Sequence, residues 1–446
     1  MRTRINPEQT QTVRIDAGAI ADAAMGVVAP GSIVLRVGPG GLDVLASGPT
    51  GDLTPGSTTG AAPIGRTIAL PDRLVMPGLV NAHTHLDLSH IGPMPHEPGD
   101  GFVKWVDHIR ASRRSDDAEI ADAVRLGIDL SIAGGTVAVG DIAGAPGGRL
   151  TTAPALALAP SPLTGVSYLE FFGIGRTAAA TVERLSAFAR GALPALLDRL
   201  VASGVQIGLQ PHAPNTVDLA VYRWAAALAR AHDLPLSTHL GETPEERAFI
   251  ADAVGPQRTM LERLGVWDDS ILDHAGHGKH PVEHLLPVLE QHRVLCAHVN
   301  DATDRAIALL ASTKTPVAYC PRASSYFGAH DHFGPHRYLD MLDAGVPVCL
   351  GTDSIVNLDT HDRISVLDEM RLLHRRDRTP AETLLAMGTT HGASALGIDA
   401  GLVTFEPGAI LGLIAVPIGP ASSDSWSDAM AGCSAPETPI LTQERF

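Results

Sequence analysis

Between residues 77 and 396 the chain alternates short apolar runs with helical patterns, and this alternation limits its fold more than any other feature. The first run follows the breaker Pro77-Gly78. Others fall at residues 136–142, 166–172, 205–209, 234–238, 294–297, 317–320 and 346–350. Helical patterns occupy residues 116–133, closed by Gly134-Gly135, and 178–203, interrupted near Gly191 and Pro194; another spans 216–232. A further helix opens at Thr243-Pro244-Glu245-Glu246, which has capping-box spacing with proline at the first helical position. Asp301 is placed to cap a helix over 302–312, and helices over 361–374 and 379–396 follow, the second opened by a Thr379-x-x-Glu382 box. Strands separated by helices imply a parallel sheet, and eight such units predict an α/β chain folded as a closed (β/α)8 TIM-like barrel.

The ends of the chain carry a different pattern. Residues 12–75 are β-rich, with a hairpin expected from 33–37 and 42–46 around the turn at 38–41, then a polar Gly/Thr/Pro stretch to Gly65. A second β pattern covers 403–416. The expected division is residues 1–75 and 401–446 forming one small β-sandwich lobe, with the barrel over 76–400.

A formal charge of -16 argues against nucleic-acid or anionic-membrane partners and favours a small-molecule substrate. Residues 1–11 are too polar for a signal peptide, and no apolar run approaches membrane-spanning length. Cys296, Cys320, Cys349 and Cys433 show no Cys-x-x-Cys spacing, and buried free thiols in the cytoplasm are expected. A homodimer is the expected assembly.

Side chains two apart on a strand face the same way, so His83 and His85 point together from the end of the first strand. His212, His239, His298 and Asp353 likewise fall at or just past strand ends. In such barrels that end is the catalytic face. His83, His85, His239 and Asp353 form a donor set suited to one divalent ion, zinc first and iron second, with a position open for water. Such an ion lowers the pKa of bound water to about 7, so hydrolysis is its natural use. Glu242, three residues past His239, is the candidate proton donor. Asp353 is the candidate carrier of the water proton, and His298 the candidate hydrogen-bonding partner of the nucleophile. His212 is expected to touch substrate, as is Trp105 in the long excursion over 91–114.

Pro77-Gly-Leu-Val-Asn-Ala-His83-Thr-His85, Gln210-Pro-His212-Ala-Pro, Thr238-His239-Leu-Gly-Glu242, Ala297-His298 and Leu350-Gly-Thr-Asp353-Ser together resemble the amidohydrolase superfamily, in particular its cytosine deaminase/chlorohydrolase branch. The resemblance spans essentially the whole chain. It implies a single metal and hydrolytic deamination of an amino-substituted nitrogen heterocycle: an aminopurine or nucleoside, a pyrimidine or a triazine. The same site serves chlorohydrolases, N-alkylaminohydrolases and cyclic amidases, and a catalytically silent scaffold is the alternative from another class. Branches that bridge two metals use a carboxylated lysine after the fourth strand. Here that strand ends Gln210-Pro211-His212, and Lys104, Lys279 and Lys314 lie elsewhere. After the seventh strand a Pro-x-Ser-Asn motif is usual, whereas this chain has Cys320-Pro-Arg322-Ala-Ser-Ser-Tyr326-Phe327. That version resembles aminodeoxyfutalosine deaminase-like proteins and makes Arg322 and Tyr326 candidate substrate contacts. The loop with His274, His277, His280 and His284 is expected to be surface, a second metal there being the alternative.

Overall fold

A computed structural model describes residues 10–53, 63–419 and 424–441; most of the polar stretch before Gly65 and the extreme termini lie outside the described residues. The chain begins with β1 (Gln11–Asp22), β2 (Gly26–Val28), β3 (Gly31–Gly38), β4 (Gly41–Pro49) and β5 (Arg66–Pro77). The barrel strands are β6 (Leu79–Thr84), β7 (Thr136–Ala143), β8 (Thr164–Phe171), β9 (Val205–Pro211), β10 (Leu236–Leu240), β11 (Val294–His298), β12 (Val317–Tyr319) and β13 (Val348–Leu350). The chain returns through β14 (Gly408–Ile410), β15 (Gly412–Pro417) and β16 (Glu437–Leu441).

β6 to β13 pair in sequence order, each parallel to the next. The ring closes where Thr84 and Asp353 form a parallel bridge and both Thr352 N and Asp353 N donate to the His83 carbonyl at 3.0 Å. Tyr168, Leu295, Ala318 and Cys349 share one buried cluster, linking β8 to strands across the ring and filling its interior. A larger cluster, including Leu209, Leu236, Val317 and Val348, seals strands against helices such as Leu219–His232 and Pro281–Leu289. Each such side chain contributes about 1.5–3 kcal/mol when fully buried.

The small lobe draws on both ends of the chain, ordered β14-β4-β3-β1-β5-β15-β16 with β2 on β1. Its β3–β4 hairpin is the one expected from the turn at 38–41. β5 ends at Pro77 and β6 starts at Leu79, so the lobe feeds the first barrel strand directly. No helix among the described residues is long and apolar enough to cross a membrane.

Two helix starts differ from expectation. Thr303, not Asp301, caps helix Asp304–Thr313 by accepting from Ala306 N at 3.1 Å. Asp301 instead meets Arg247 at 3.0 Å and the His280 ring at 3.4 Å, partners that the local spacing could not reveal. Helix Ala381–Gly388 has Pro380 at its cap, and the Thr379 hydroxyl turns inward to the Leu373 carbonyl.

Close strand approach makes one glycine obligatory. Gly165 has φ +136°, and a Cβ there would lie 1.9 Å from the Val139 carbonyl oxygen of the neighbouring strand. Gly165→Ala is therefore expected to destabilise the protein by about 3 kcal/mol. A calorimetric scan should show the transition falling by several degrees; an unchanged transition would mean that β7 and β8 are further apart.

Candidate active site

The end of β6 brings His83 and His85 into the ring, buried with their neighbours Thr84 and Leu86. Asp353, past β13, arrives through the closure that hydrogen-bonds its backbone to His83. Gly351 allows that approach, since a Cβ there would sit 2.9 Å from the His83 Cβ. Asp353 adopts φ +56°, a left-handed conformation that Asp tolerates better than most residues. Its Oδ1 lies 3.4 Å from His85 Nε2 and 4.0 Å from His83 Nε2, while Oδ2 accepts from Asn357 Nδ2 at 2.6 Å.

From across the ring β10 supplies His239. Its Nδ1 donates to the His212 carbonyl at 2.9 Å, which leaves the Nε2 lone pair facing His85 Nε2 only 3.4 Å away. Burial, reinforced by His239, holds His85 well below the ordinary imidazole value, and burial lowers His239 as well. At that distance the two neutral imidazole nitrogens face each other across either one proton, as an N–H···N hydrogen bond, or a cation. Both ring nitrogens of His83 are buried without a hydrogen-bond partner among the described residues. Ligand atoms of His83, His85 and His239 fall within 4.8 Å of one another, and Asp353 supplies the nearby anion. These residues fit one divalent ion, with the Nδ1–H of His239 anchored as ligating histidines commonly are.

The loop after β10 carries Glu242. Gly241 and Glu242 donate their backbone N–H groups to the Glu246 carboxylate at 2.9 and 2.8 Å, and Asn300 Nδ2 donates to the Glu242 carbonyl at 3.0 Å. The Glu242 carboxyl is thus aimed by its backbone. Burial, then the charge of Asp353, pushes it well above the ordinary carboxylate range and favours its protonated form. Burial likewise pushes Asp353 up to about 7. His298 Nε2 lies 3.7 Å from Glu242 Oε1, and Glu242, His298 and Asp353 form a second group with ligand atoms within 4.8 Å. His298 and Val299 both have positive φ, a conformation braced by His336 Nε2 donating to the His298 carbonyl at 2.9 Å. The set resembles a proton-transfer site: two carboxyls raised by burial stand together, and an imidazole lies beside them.

Other residues named from the sequence lie at different places. His212, past β9, packs on His239 at 4.8 Å between ring centroids. Trp105, on helix Phe102–Ser112, stacks on Phe102 and meets Phe327 edge-on, while Tyr326 stacks on His96. Burial pushes the Tyr326 hydroxyl up to about 12, and the charge of Asp353 adds to the shift. The structure does not bring the Arg322 guanidinium to the cluster. Its Nε meets Glu369 at 2.5 Å, Nη1 meets Asp359 at 3.1 Å and Nη2 donates to the Ser365 carbonyl at 3.1 Å. Glu369 is wholly buried and needs that cation, so Arg322 braces the loop rather than facing substrate.

In the histidine-rich loop, His280 caps helix Pro281–Leu289 and His277 bonds the Leu272 carbonyl. Among the described residues no metal-capable group includes either of them, His274 or His284. Cys296, Cys320 and Cys349 are buried free thiols, whereas Cys433 is exposed. Sequence reasoning missed Asp87, Arg113, Asp141 and Glu170. Arg113 Nε lies 3.1 Å from Asp87 and Nη1 3.5 Å from Glu170, and Asp141 accepts from Leu86 N. Glu170 closes a strand just as His298 does, and that position was the available signal.

Comparison with known proteins follows the same lines. Residues 74–429 match the model of the Amidohydrolase family. A 5-methylthioadenosine/S-adenosylhomocysteine deaminase of Haloarcula marismortui is 28% identical over 392 residues, covering 83% of this chain and 80% of that one. An aminodeoxyfutalosine deaminase of Deinococcus radiodurans is 30% identical over 351 residues, covering 71% and 76%. In three dimensions the chain is similar to Helicobacter pylori aminofutalosine deaminase in complex with methylthio-coformycin, with a TM-score of 0.71 at 18% identity and 94% of each chain covered. The fold, the strand-end histidines and the extent of the family match lead to one assignment: this chain belongs to the amidohydrolase family.

Proposed function

We propose that the protein is a metal-dependent aminohydrolase that releases ammonia from the adenine ring of a nucleoside. One observation carries the reading: Glu242, His298 and Asp353 bring their ligand atoms within 4.8 Å of one another at the edge of the imidazole cluster, where burial raises both carboxyls above their ordinary range. Hydrolysis of a ring amidine needs a proton donor for the ring nitrogen and an acceptor for the water proton at once. The names of the relatives, deaminases of adenine-containing nucleosides, support the ring.

His83, His85, His239 and Asp353 would hold the ion, and three nitrogens with one carboxylate favour zinc over iron. A divalent ion bound there would activate water at neutral pH. Asp353 takes one proton from the attacking water as its oxygen bonds to the amino-bearing carbon. Glu242 protonates the adjacent ring nitrogen, so negative charge never accumulates on the ring. Asp353 then delivers its proton to the amino group, ammonia leaves, and the remaining hydroxyl proton returns to Glu242 as the carbonyl forms. His298 orients the water, and His212, Trp105 and Tyr326 contact the substrate. Buried, unpaired thiols at Cys296, Cys320 and Cys349 support a cytoplasmic setting.

Adenosine, 5'-methylthioadenosine and a chlorotriazine separate this reading from its rival, expulsion of chloride by the same residues. Ammonia is expected from the adenine compounds, in step with a hypoxanthine-type product. Chloride release without ammonia from any aminopurine would overturn the assignment. A strong chelator is expected to abolish turnover, with metal content and activity returning together on adding zinc. Full activity in protein shown to be metal-free would remove the ion from the reaction.

A further inference from the structure

The loop that follows β12 reaches the backbone of Glu242 and of His298, and the reaction above gives the side chains that do so no part. His336 Nε2 donates to the His298 carbonyl at 2.9 Å. Ser324 Oγ donates to Asn300 Oδ1 at 2.6 Å, and Asn300 Nδ2 in turn donates to the Glu242 carbonyl at 3.0 Å. Two groups of the proton-transfer set therefore hang by their carbonyls from one loop.

Of the two holds, the one on His298 bears the strain. His298 and Val299 have φ of +71° and +51°. Left-handed backbone is an outlier for a β-branched residue such as Val, and strained residues of this kind persist only where their surroundings over-determine them. Here Val299 N donates to the Leu240 carbonyl at 2.9 Å, and His336 takes the carbonyl on the other side of the bend. The same bend leaves His298 Nε2 3.7 Å from Glu242 Oε1. Without a donor for its buried carbonyl, the bend loses the contact that offsets its strain.

His336 is itself fixed. Its ring stacks on Tyr319, with centroids 3.7 Å apart and planes 15° from parallel, and Arg376 Nη2 donates to the Tyr319 hydroxyl at 3.0 Å. A carbonyl only accepts, so Nε2 carries the ring hydrogen. Burial pulls the ring down to about 4, which favours this neutral form with a single N–H. His336, Asn300, Ser324 and Tyr319 border a cavity of about 240 Å³, so the side chain at 336 can be exchanged without repacking a filled core.

We propose that His336 is a positioning residue of the reaction: by holding the His298 carbonyl it keeps the strained bend that aims the His298 ring at the attacking water and at Glu242. The inference rests on the reading above for the part His298 plays, and extends that part to a residue 38 positions further along the chain. Small misplacement of a catalytic group lowers turnover by up to about 100-fold, whereas the groups that contact substrate stay where they are.

The test compares kcat, KM and zinc content of the zinc-loaded protein with adenosine in His336→Phe and His336→Gln. Phe keeps an aromatic ring against Tyr319 and removes the donor; the Gln amide restores one. His336→Phe should lower kcat about 10- to 100-fold with KM and zinc content unchanged, and His336→Gln should recover most of the loss. The decisive arm repeats His336→Phe in a His298→Asn background, where Asn still accepts the left-handed backbone. There the change at 336 should cost less than about threefold, because its effect runs through the ring already removed. An equal loss in both backgrounds, a rise in KM that accounts for the loss, or wild-type kcat in His336→Phe would overturn the proposal. Chloride from a chlorotriazine with no ammonia from any adenine compound would instead overturn the deaminase reading, and the same comparison made on chloride release would then decide the role of His336.

Discussion

Glu242→Gln is expected to give a folded protein with unchanged metal content that releases ammonia about 1,000-fold more slowly than wild type. The loop that aims residue 242 is held by backbone groups: the Glu246 carboxylate accepts two N–H groups and Asn300 binds the carbonyl. Neither contact involves the side chain being changed. Burial and Asp353 both favour the neutral form of Glu242, and the neutral amide of Gln matches that form in size and charge. Thermal stability should move little. What the amide lacks is a proton it can surrender to the ring nitrogen. A loss of less than tenfold in kcat, with zinc content intact, would assign that proton to another group, and His298 at 3.7 Å is the nearest candidate.

The barrel and its cluster were legible because each rests on a local rule. Alternating facing put His83 and His85 on one side of a strand, and the end of an apolar run placed His239, His298 and Asp353 at one rim. Arg113 had no such rule behind it. It reaches the site after a helix that follows a long loop, and only coordinates show it between Asp87 and Glu170. Arg322 misled for the opposite reason. It follows the seventh strand closely, where pocket residues belong, but its side chain turns to the buried Glu369 on helix Val366–Asp377. A buried carboxyl on another element sets that direction, and nothing near Arg322 in sequence announces it. Asp301 was read as a cap from spacing alone, while the Arg247 guanidinium and the His280 ring engage it instead.

Asp353→Asn should be more damaging still, with turnover falling at least 1,000-fold in a protein that folds normally. The left-handed backbone at this position, φ +56°, is one that Asn also adopts readily, so the closure between β6 and β13 should survive. Asn357 Nδ2 donates to Oδ2 at 2.6 Å, and the amide can meet that donor by presenting its own oxygen. Its NH2 group must then point toward the His83 and His85 nitrogens, where Oδ1 now lies 4.0 and 3.4 Å away. A donor there repels a cation, and the amide accepts no proton from water. Measuring bound metal and kcat on the same preparation separates the two consequences. Loss of both marks Asp353 chiefly as a ligand, and stoichiometric metal with no turnover marks it chiefly as the proton carrier. Near-normal kcat would remove Asp353 from the proton relay, and with it the pairing with Glu242 on which the deaminase reading rests.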